Sequence, residues 1–296
     1  MQKVPSTQGV IQVAKKIDGK ALSRKVLAKM KEETEKLVEK GITPRLAVVQ
    51  VGHDPASDIY VKMKEMACKR VGIASENINL DENISYDEFK KVIDDLNIND
   101  SVHGIMIQLP LPDHLKKKRI MEMISKDKDV DGFHPYNHGK NLLKEPAFIP
   151  ATAKGIIELI ESTGEKIEGK HAVCVGTSSI VGKPTALMLL NKHATVTMCN
   201  KYTVDLAQYT KQADIIVVAV GKPNLITADM VKDGVIIIDV GITRLEDGRI
   251  VGDVDYENVS KKASWITPVP GGAGPMTIAC LVENTVTAAK KLNNLE

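Results

Sequence analysis

The chain has 296 residues, 43% of them apolar and 26% charged, with a formal net charge of +2. That length suits two domains, or one large one, with ample core. The balanced charge gives no footprint for nucleic acid or an anionic membrane, and 3% aromatic residues leave little for stacking on bases. Residues 1–16 have no long apolar core, and no later run approaches a membrane span. Cys68, Cys174, Cys199 and Cys280 are widely spaced, and at least two fall in apolar strands. They read as reduced, buried thiols of a cytoplasmic protein, not as a disulfide frame or a zinc site. His134 and His138 alone stand four apart, and Pro135 and Asn137 are expected to break the helix that such a pair would need. No metal is expected.

The pattern predicts an amphipathic helix over 20–40, stopped by Gly41, then a buried strand over 45–51. A helix follows over 57–71, with Ser57 as its N-cap and Gly72 as its end. A short strand at 78–80, a helix over 86–96, a buried strand over 103–108 and a helix around 116–124 come next. The stretch 126–150 is rich in Asp, Gly, His, Pro and Asn and long for a connection, which makes it a candidate functional loop. The pattern restarts with a helix over 152–163, a strand at 172–175, a glycine loop, a helix over 184–191 and a strand over 194–199. Strands at 215–219, 235–239 and 265–267, a helix near 228–232 and a last helix over 276–292 complete it. Strands alternating with helices in both halves indicate an α/β protein with two parallel sheets and a boundary near Pro150. The cleft between the halves is the default site.

The glycine loop sits between a strand and a helix, where free N–H groups and the helix dipole favour an anion. Pro184 fits the first helical turn because that turn does not need its missing N–H. Neither usual phosphate motif is met. Five residues separate Gly176 from Gly182 and Pro184 follows Lys183, against a Walker loop; Ser178 stands where the dinucleotide fingerprint has its second glycine. A dinucleotide site and a plain tight βα turn both remain open from these residues alone.

Tyr60 and Lys64, four apart, share one helix face. Gln108 ends a parallel strand, at the edge where such sheets bind ligands, and Asp131 lies in the long loop. A lysine beside a carboxamide, an aromatic ring and a carboxylate can form an acid–base centre. The plainer alternatives are a surface lysine, a core tyrosine, a strand cap and a turn aspartate.

Six segments in order carry a resemblance: VGHDPASDIYVKMKEMACKRVGI (51–73), QLPLP (108–112), KDVDGFHPYNHGKNL (128–142), GTSSIVGKPTALMLL (176–190), ATVTMC (194–199) and PVPGGAGPMTIA (268–279). Through them the chain resembles the bifunctional methylenetetrahydrofolate dehydrogenase/cyclohydrolase (FolD) family over nearly its whole length. The resemblance implies a folate domain (1–150, completed by 276–296), a Rossmann-like NAD(P)-binding domain (151–275) and a homodimer. It implies oxidation of 5,10-methylenetetrahydrofolate by NADP or NAD, then hydrolysis of the methenyl product to 10-formyltetrahydrofolate. By motif, Lys64 is the central catalytic group, held and tuned by Gln108; Tyr60 stacks on the folate and Asp131 binds the pterin edge. Leu109, Pro270, Gly271 and Gly272 are implied to contact folate. Gly176, Thr177, Ser178, Ser179, Ile180, Val181, Gly182, Pro184, Lys201, Gly221 and Ile242 are implied on the cofactor, with Gly274 and Thr277 on its nicotinamide side.

The departures from the family pattern cluster on the cofactor side. Thr177 stands where the family usually has arginine, and Asn200-Lys201 where it has His-Ser, positions associated with the 2′-phosphate of NADP. Thr177 removes a bidentate phosphate partner, while Lys201 could restore a point charge. No acid ends the second strand to select a free ribose, so NAD is not signalled either. Ala151, Ala153 and Ala273 also replace usual residues. Two rival readings are a cyclohydrolase with weak or lost dehydrogenase activity, and a non-catalytic dinucleotide or folate sensor.

Overall fold

The computed structural model describes residues 13–116 and 119–295; residues 1–12 of the apolar-core reading and residues 117–118 of the expected 116–124 helix lie outside them. The first half runs β1 (Lys15–Lys16), α1 (Gly19–Glu39), β2 (Arg45–Val51), α2 (Pro55–Val71), β3 (Ala74–Leu80), α3 (Tyr86–Ile98), β4 (Gly104–Ile107), α4 (Asp113–Lys116) and α5 (Pro135–Leu142). Strands β2, β3 and β4 form a parallel sheet in the order β3-β2-β4. β2 is buried from Leu46 to Val51, as a central strand covered on both faces should be. The second half runs α6 (Ala151–Glu161), β5 (His171–Val175), α7 (Gly182–Asn191), β6 (Thr195–Cys199), α8 (Leu206–Thr210), β7 (Ile215–Val218), β8 (Ile236–Asp239), the short hairpin β9 (Thr243–Arg244) and β10 (Ile250–Val251), α9 (Tyr256–Val259), β11 (Trp265–Ile266) and α10 (Ala273–Leu292). Its parallel sheet has the order β1-β11-β8-β7-β5-β6.

Several local expectations need correction. The N-cap of α2 is Asp54, not Ser57: its Oδ2 accepts from the Ser57 N–H at 2.9 Å and the Ser57 hydroxyl at 2.6 Å. A carboxylate facing the first turn competes well against a hydroxyl already inside it. Gly72 does end the helix, in the left-handed region at φ 83. The expected 116–124 helix is instead the single turn α4 and a 3-10 turn at Ile120–Met123. The 126–150 stretch is not wholly irregular, and Pro135 does not break a helix but begins one. It occupies the first turn of α5, and the His134 ring caps it, Nδ1 accepting from the Tyr136 N–H at 3.0 Å. The expected helix near 228–232 is a 3-10 turn, Ala228–Met230. β1, α8, α9 and the β9–β10 hairpin are too short for a periodic signal to reveal.

Helix α10 ties the halves together. Its buried residues include Met276, Ile278, Leu281, Val282 and Val286, on more than one face, as befits a helix enclosed by others. It packs against α1 and α2 on one side and α6 on the other. The approach to α6 is close: a Cβ on Gly155 would lie 2.9 Å from Met276 Cβ, so that position has room only for hydrogen.

Candidate active site

Lys64 projects from α2 toward the carboxyl end of β4. Its side chain is 6% exposed, and Nζ donates to Gln108 Oε1 at 2.8 Å and lies 3.3 Å from Met106 Sδ. Burial holds the ammonium below the usual lysine range, opposed by charge on Asp131 and Cys68. Gln108 is fixed in turn, its Nε2 donating to the Leu109 carbonyl at 2.7 Å, which leaves Oε1 toward the lysine. The Ser57 hydroxyl, whose proton goes to Asp54, lies 3.2 Å from the same carbonyl, so the start of α2 packs on the QLPLP turn, where the Leu109–Pro110 bond is cis.

Asp131 comes from the loop after β4. Burial pushes its carboxyl up to about 6, with Lys64 pulling down and Asp129 adding to the rise. The loop is braced by groups that sequence inspection did not single out. Asp129, 1% exposed, accepts from the Phe133 and His134 N–H groups and from Asn137 Nδ2 at 2.8–3.1 Å. Asn284 of α10 donates to the carbonyls of Val130 (2.9 Å) and Ile149 (3.1 Å). Gly132, at φ 75, passes so close to the chain that a Cβ would fall 2.5 Å from Pro150 N. Lys64, Gln108 and Asp131 are thus held at one point by three separate elements.

Tyr60 stands one turn before Lys64 and lines a cleft of about 330 Å³ with Ile59, Met63, Ile242, Pro270, Gly271, Gly272 and Gly274. Burial raises the Tyr60 phenol, which favours its neutral form. The opposite wall is the 268–275 loop, with a cis Val269–Pro270 bond and Gly271 at φ 115. A flat aromatic face against a glycine–proline wall makes a slot suited to a planar ring. Leu109 does not join this cleft: its side chain lines a separate recess with Leu111, Leu115 and Phe133. The Thr277 hydroxyl donates to the Ala273 carbonyl at 3.2 Å and can accept from the Thr152 hydroxyl, also at 3.2 Å, one turn beyond the cleft.

A second recess, about 590 Å³, lies at the carboxyl ends of β5, β6 and β7. Gly176, Thr177, Asn200, Lys201, Tyr202, Val220 and Leu225 are among its lining residues. The loop above it is made by close approach. A Cβ on Gly182 would sit 2.0 Å from the Gly176 carbonyl oxygen, and one on Gly176 would sit 2.4 Å from that of Ala219. Ser178 Oγ accepts from the Val181 and Gly182 N–H groups at 3.2 and 3.3 Å. Ser179 is exposed, Ile180 half-buried, and Pro184 buried in the first turn of α7. The Lys201 ammonium stands 4.9 Å from the Tyr202 ring centroid. Glycines that bring backbone to the lip of a recess, at a helix start, suit the diphosphate and adenosine parts of a dinucleotide.

Two buried aspartates, also not anticipated, join the recess to the cleft. Asp253 Oδ2 accepts from the Val220 and Gly221 N–H groups at 2.7 and 3.0 Å. Asp239 accepts from the N–H groups of Gly241, Asp253 and Val254, each at 3.0 Å. Burial pushes the Asp239 carboxyl up to about 6. Together they fix the turns after β7 and β8 that carry Gly221 and Ile242. The only sequence trace is the spacing of Asp239, Gly241, Gly252 and Asp253, where each glycine leaves room for the other strand's carboxylate.

Comparison with known proteins places this geometry. Residues 17–131 match the family model for the tetrahydrofolate dehydrogenase/cyclohydrolase catalytic domain, and residues 150–293 match the NAD(P)-binding domain of the same family. The bifunctional protein FolD of Nautilia profundicola is 56% identical over 93% of this chain and 96% of its own length. That of Moorella thermoacetica is 52% identical, over 93% and 98%. The crystal structure of the Campylobacter jejuni bifunctional enzyme FolD superposes with a TM-score of 0.93 at 54% identity, covering 94% of this chain and 99% of that one. The Trypanosoma brucei FolD, complexed with NADP cofactor and inhibitor, gives 0.91 at 34% identity, over 94% and 98%. The chain belongs to the tetrahydrofolate dehydrogenase/cyclohydrolase family.

Proposed function

We propose that this protein oxidises 5,10-methylenetetrahydrofolate to the 5,10-methenyl cation with a nicotinamide dinucleotide, and hydrolyses that cation to 10-formyltetrahydrofolate at the same site. The observation that carries the reading is the buried Lys64, hydrogen-bonded to Gln108 and electrostatically coupled to Asp131, one helical turn from Tyr60, which walls a cleft with the 268–275 loop. The protein's part in the first step is positioning: the slot holds the pterin so that its one-carbon unit faces the cofactor side. Asp131 accepts from the pterin N–H groups. A bound nicotinamide supplies the two-electron acceptor. In the second step water adds to the methenyl carbon, a proton leaves, and the imidazolinium ring opens. Lys64 is suited to take that proton, because burial favours its neutral form and a cationic substrate beside it does so further.

The dinucleotide occupies the recess at Gly176–Gly182, with Thr177 and Lys201 at its adenosine end. NADP is the expected partner, as in the complex of the trypanosomal relative; in this chain Lys201 and Lys222, both lining the recess, offer charge to a 2′-phosphate. The folate half is taken as 1–150 with 276–296, the dinucleotide half as 151–275. A cytoplasmic homodimer completes the reading, on family grounds; among the described residues no helix is long and apolar enough to cross a membrane.

The test is turnover of methylenetetrahydrofolate with NADP and NAD in parallel, together with hydrolysis of supplied methenyltetrahydrofolate. Both activities are expected. Hydrolysis without oxidation by either cofactor would leave only the cyclohydrolase, and silence in both assays from folded protein would leave a sensor.

A further inference from the structure

The two aspartates behind the β7 and β8 turns bring more negative charge into the interior than the fold compensates. Asp253 is 0% exposed and Asp239 3%. The hydrogen bonds their carboxylates accept all come from backbone N–H groups: those of Val220 and Gly221 on Asp253, and those of Gly241, Asp253 and Val254 on Asp239. Among the described residues neither has an ion-pair partner, and Asp253 Oδ1 is buried with no hydrogen-bond partner at all. Buried carboxylates without a cation are costly, so a positive charge supplied from outside is their complement. It cannot sit directly against them on the glycine sides. A Cβ on Gly241 would lie 2.3 Å from Asp253 Oδ1, and one on Gly252 2.0 Å from Asp239 Oδ2, so the backbone there leaves no room for an ion. The complementary charge has to lie across the turns.

Those turns are where a dinucleotide crosses from one pocket to the other. Val220 lines the recess, while Val240, Gly241 and Ile242 line the cleft. With its adenosine in the recess, a dinucleotide must pass them to bring its nicotinamide to the folate. The N–H groups of Val220, Gly221 and Gly241 point inward at the aspartates, so they are not offered to a phosphate, and the field above them suits a positive ring. The nicotinamide is positive only when oxidised; its reduced ring is neutral. We propose that Asp253 and Asp239 are positioning residues whose buried charge makes this enzyme bind the oxidised dinucleotide in preference to the reduced one, so that it loads the hydride acceptor and releases the spent carrier. This rests on the functional reading above.

The test is calorimetric binding of NADP⁺, NADPH and 2′-phospho-ADP-ribose, which lacks the nicotinamide, to the wild type and to Asp253→Asn. It is run at about pH 8, above the value of about 6 to which burial pushes the Asp239 carboxyl. The asparagine can keep its oxygen on the Val220 and Gly221 N–H groups and place its nitrogen where Oδ1 has no partner, so the change removes charge and spares the hydrogen bonds. Unit charges about 10 Å apart, at an effective dielectric of about 20, alter a binding constant about tenfold. The wild type is therefore expected to bind NADP⁺ at least as tightly as NADPH, and Asp253→Asn to shift that ratio about tenfold toward NADPH. The nicotinamide-free fragment should bind both proteins alike, which also shows that the variant is folded. A loss shared equally by NADP⁺, NADPH and the fragment would leave Asp253 as a brace for the turns and overturn the proposal, as would an unchanged ratio. The wild type alone also decides: NADPH bound about tenfold or more tighter than NADP⁺ would overturn the preference whether or not the variant folds. A folded wild type that binds neither dinucleotide nor the fragment would overturn the functional reading itself, and this preference with it.

Discussion

Replacing Lys64 by Met separates chemistry from folding. The change keeps an unbranched chain in a site that is 6% exposed and already contains Met106. It removes a buried ammonium, whose desolvation cost is what depresses its pKa, and it leaves Gln108 Oε1 without its 2.8 Å donor. An orphaned buried acceptor costs about 1–3 kcal/mol, and relief of the lysine's desolvation acts in the opposite direction. The net change is expected within about 2 kcal/mol, a shift in melting temperature of a few degrees for a chain of this size. The catalytic loss is larger. Removing a positioned acid–base group costs roughly 10²- to 10⁴-fold, or about 3–5 kcal/mol in the barrier. Hydrolysis of methenyltetrahydrofolate, followed by its absorbance against the uncatalysed rate, should therefore fall at least a hundredfold while the melting curve barely moves. A folded Lys64→Met protein retaining more than a tenth of the wild-type rate would refute the role given to this lysine.

Other consequences follow from the same geometry. With the Asp131 carboxyl pushed up to about 6 and its ionised form the one that accepts from the pterin, kcat/KM for the folate should fall as pH drops through 6. It should be about tenfold lower near pH 5, and Asp131→Asn should lower the plateau and abolish that acid limb. Gly182→Ala drives a Cβ to 2.0 Å from the Gly176 carbonyl oxygen, so the loop must shift. The KM for dinucleotide should rise about tenfold or more, while hydrolysis of supplied methenyltetrahydrofolate falls far less. Thr177→Arg restores a bidentate donor and should raise kcat/KM with NADP by about tenfold without a matching gain with NAD; equal gains would move the 2′-phosphate away from this residue. Asn284→Ala removes the donor to a buried and a part-buried carbonyl and should cost about 1–3 kcal/mol of stability, read by denaturant titration.

What was legible in the sequence was what repeats with a period or carries a motif. β2, α1 and α10 announce themselves by buried runs and apolar faces, and the end of α2 is marked by Gly72. The strand–loop–helix around Gly176 was readable as an anion-binding unit without its family motif, because the chemistry lies in the backbone. Short elements were invisible: β1 and the β9–β10 hairpin have two residues per strand and exist through their partners. Pro135 misled because the same residue stops a helix from inside and starts one from its first turn. The supporting aspartates, Asp129, Asp239 and Asp253, could not be separated from surface acids, since only tertiary contacts bury them.

The account turns on where the folate sits, and a crystal structure with a dinucleotide and a non-reacting folate analogue tests this most directly. The pterin should lie against the Tyr60 ring with its N–H edge within hydrogen-bond distance of Asp131, its one-carbon position near Lys64 Nζ and the rest of the folate along the 268–275 loop. The account would be contradicted by an analogue bound away from this cleft, for instance in the groove of about 810 Å³ lined by Asn141, Glu165 and His193.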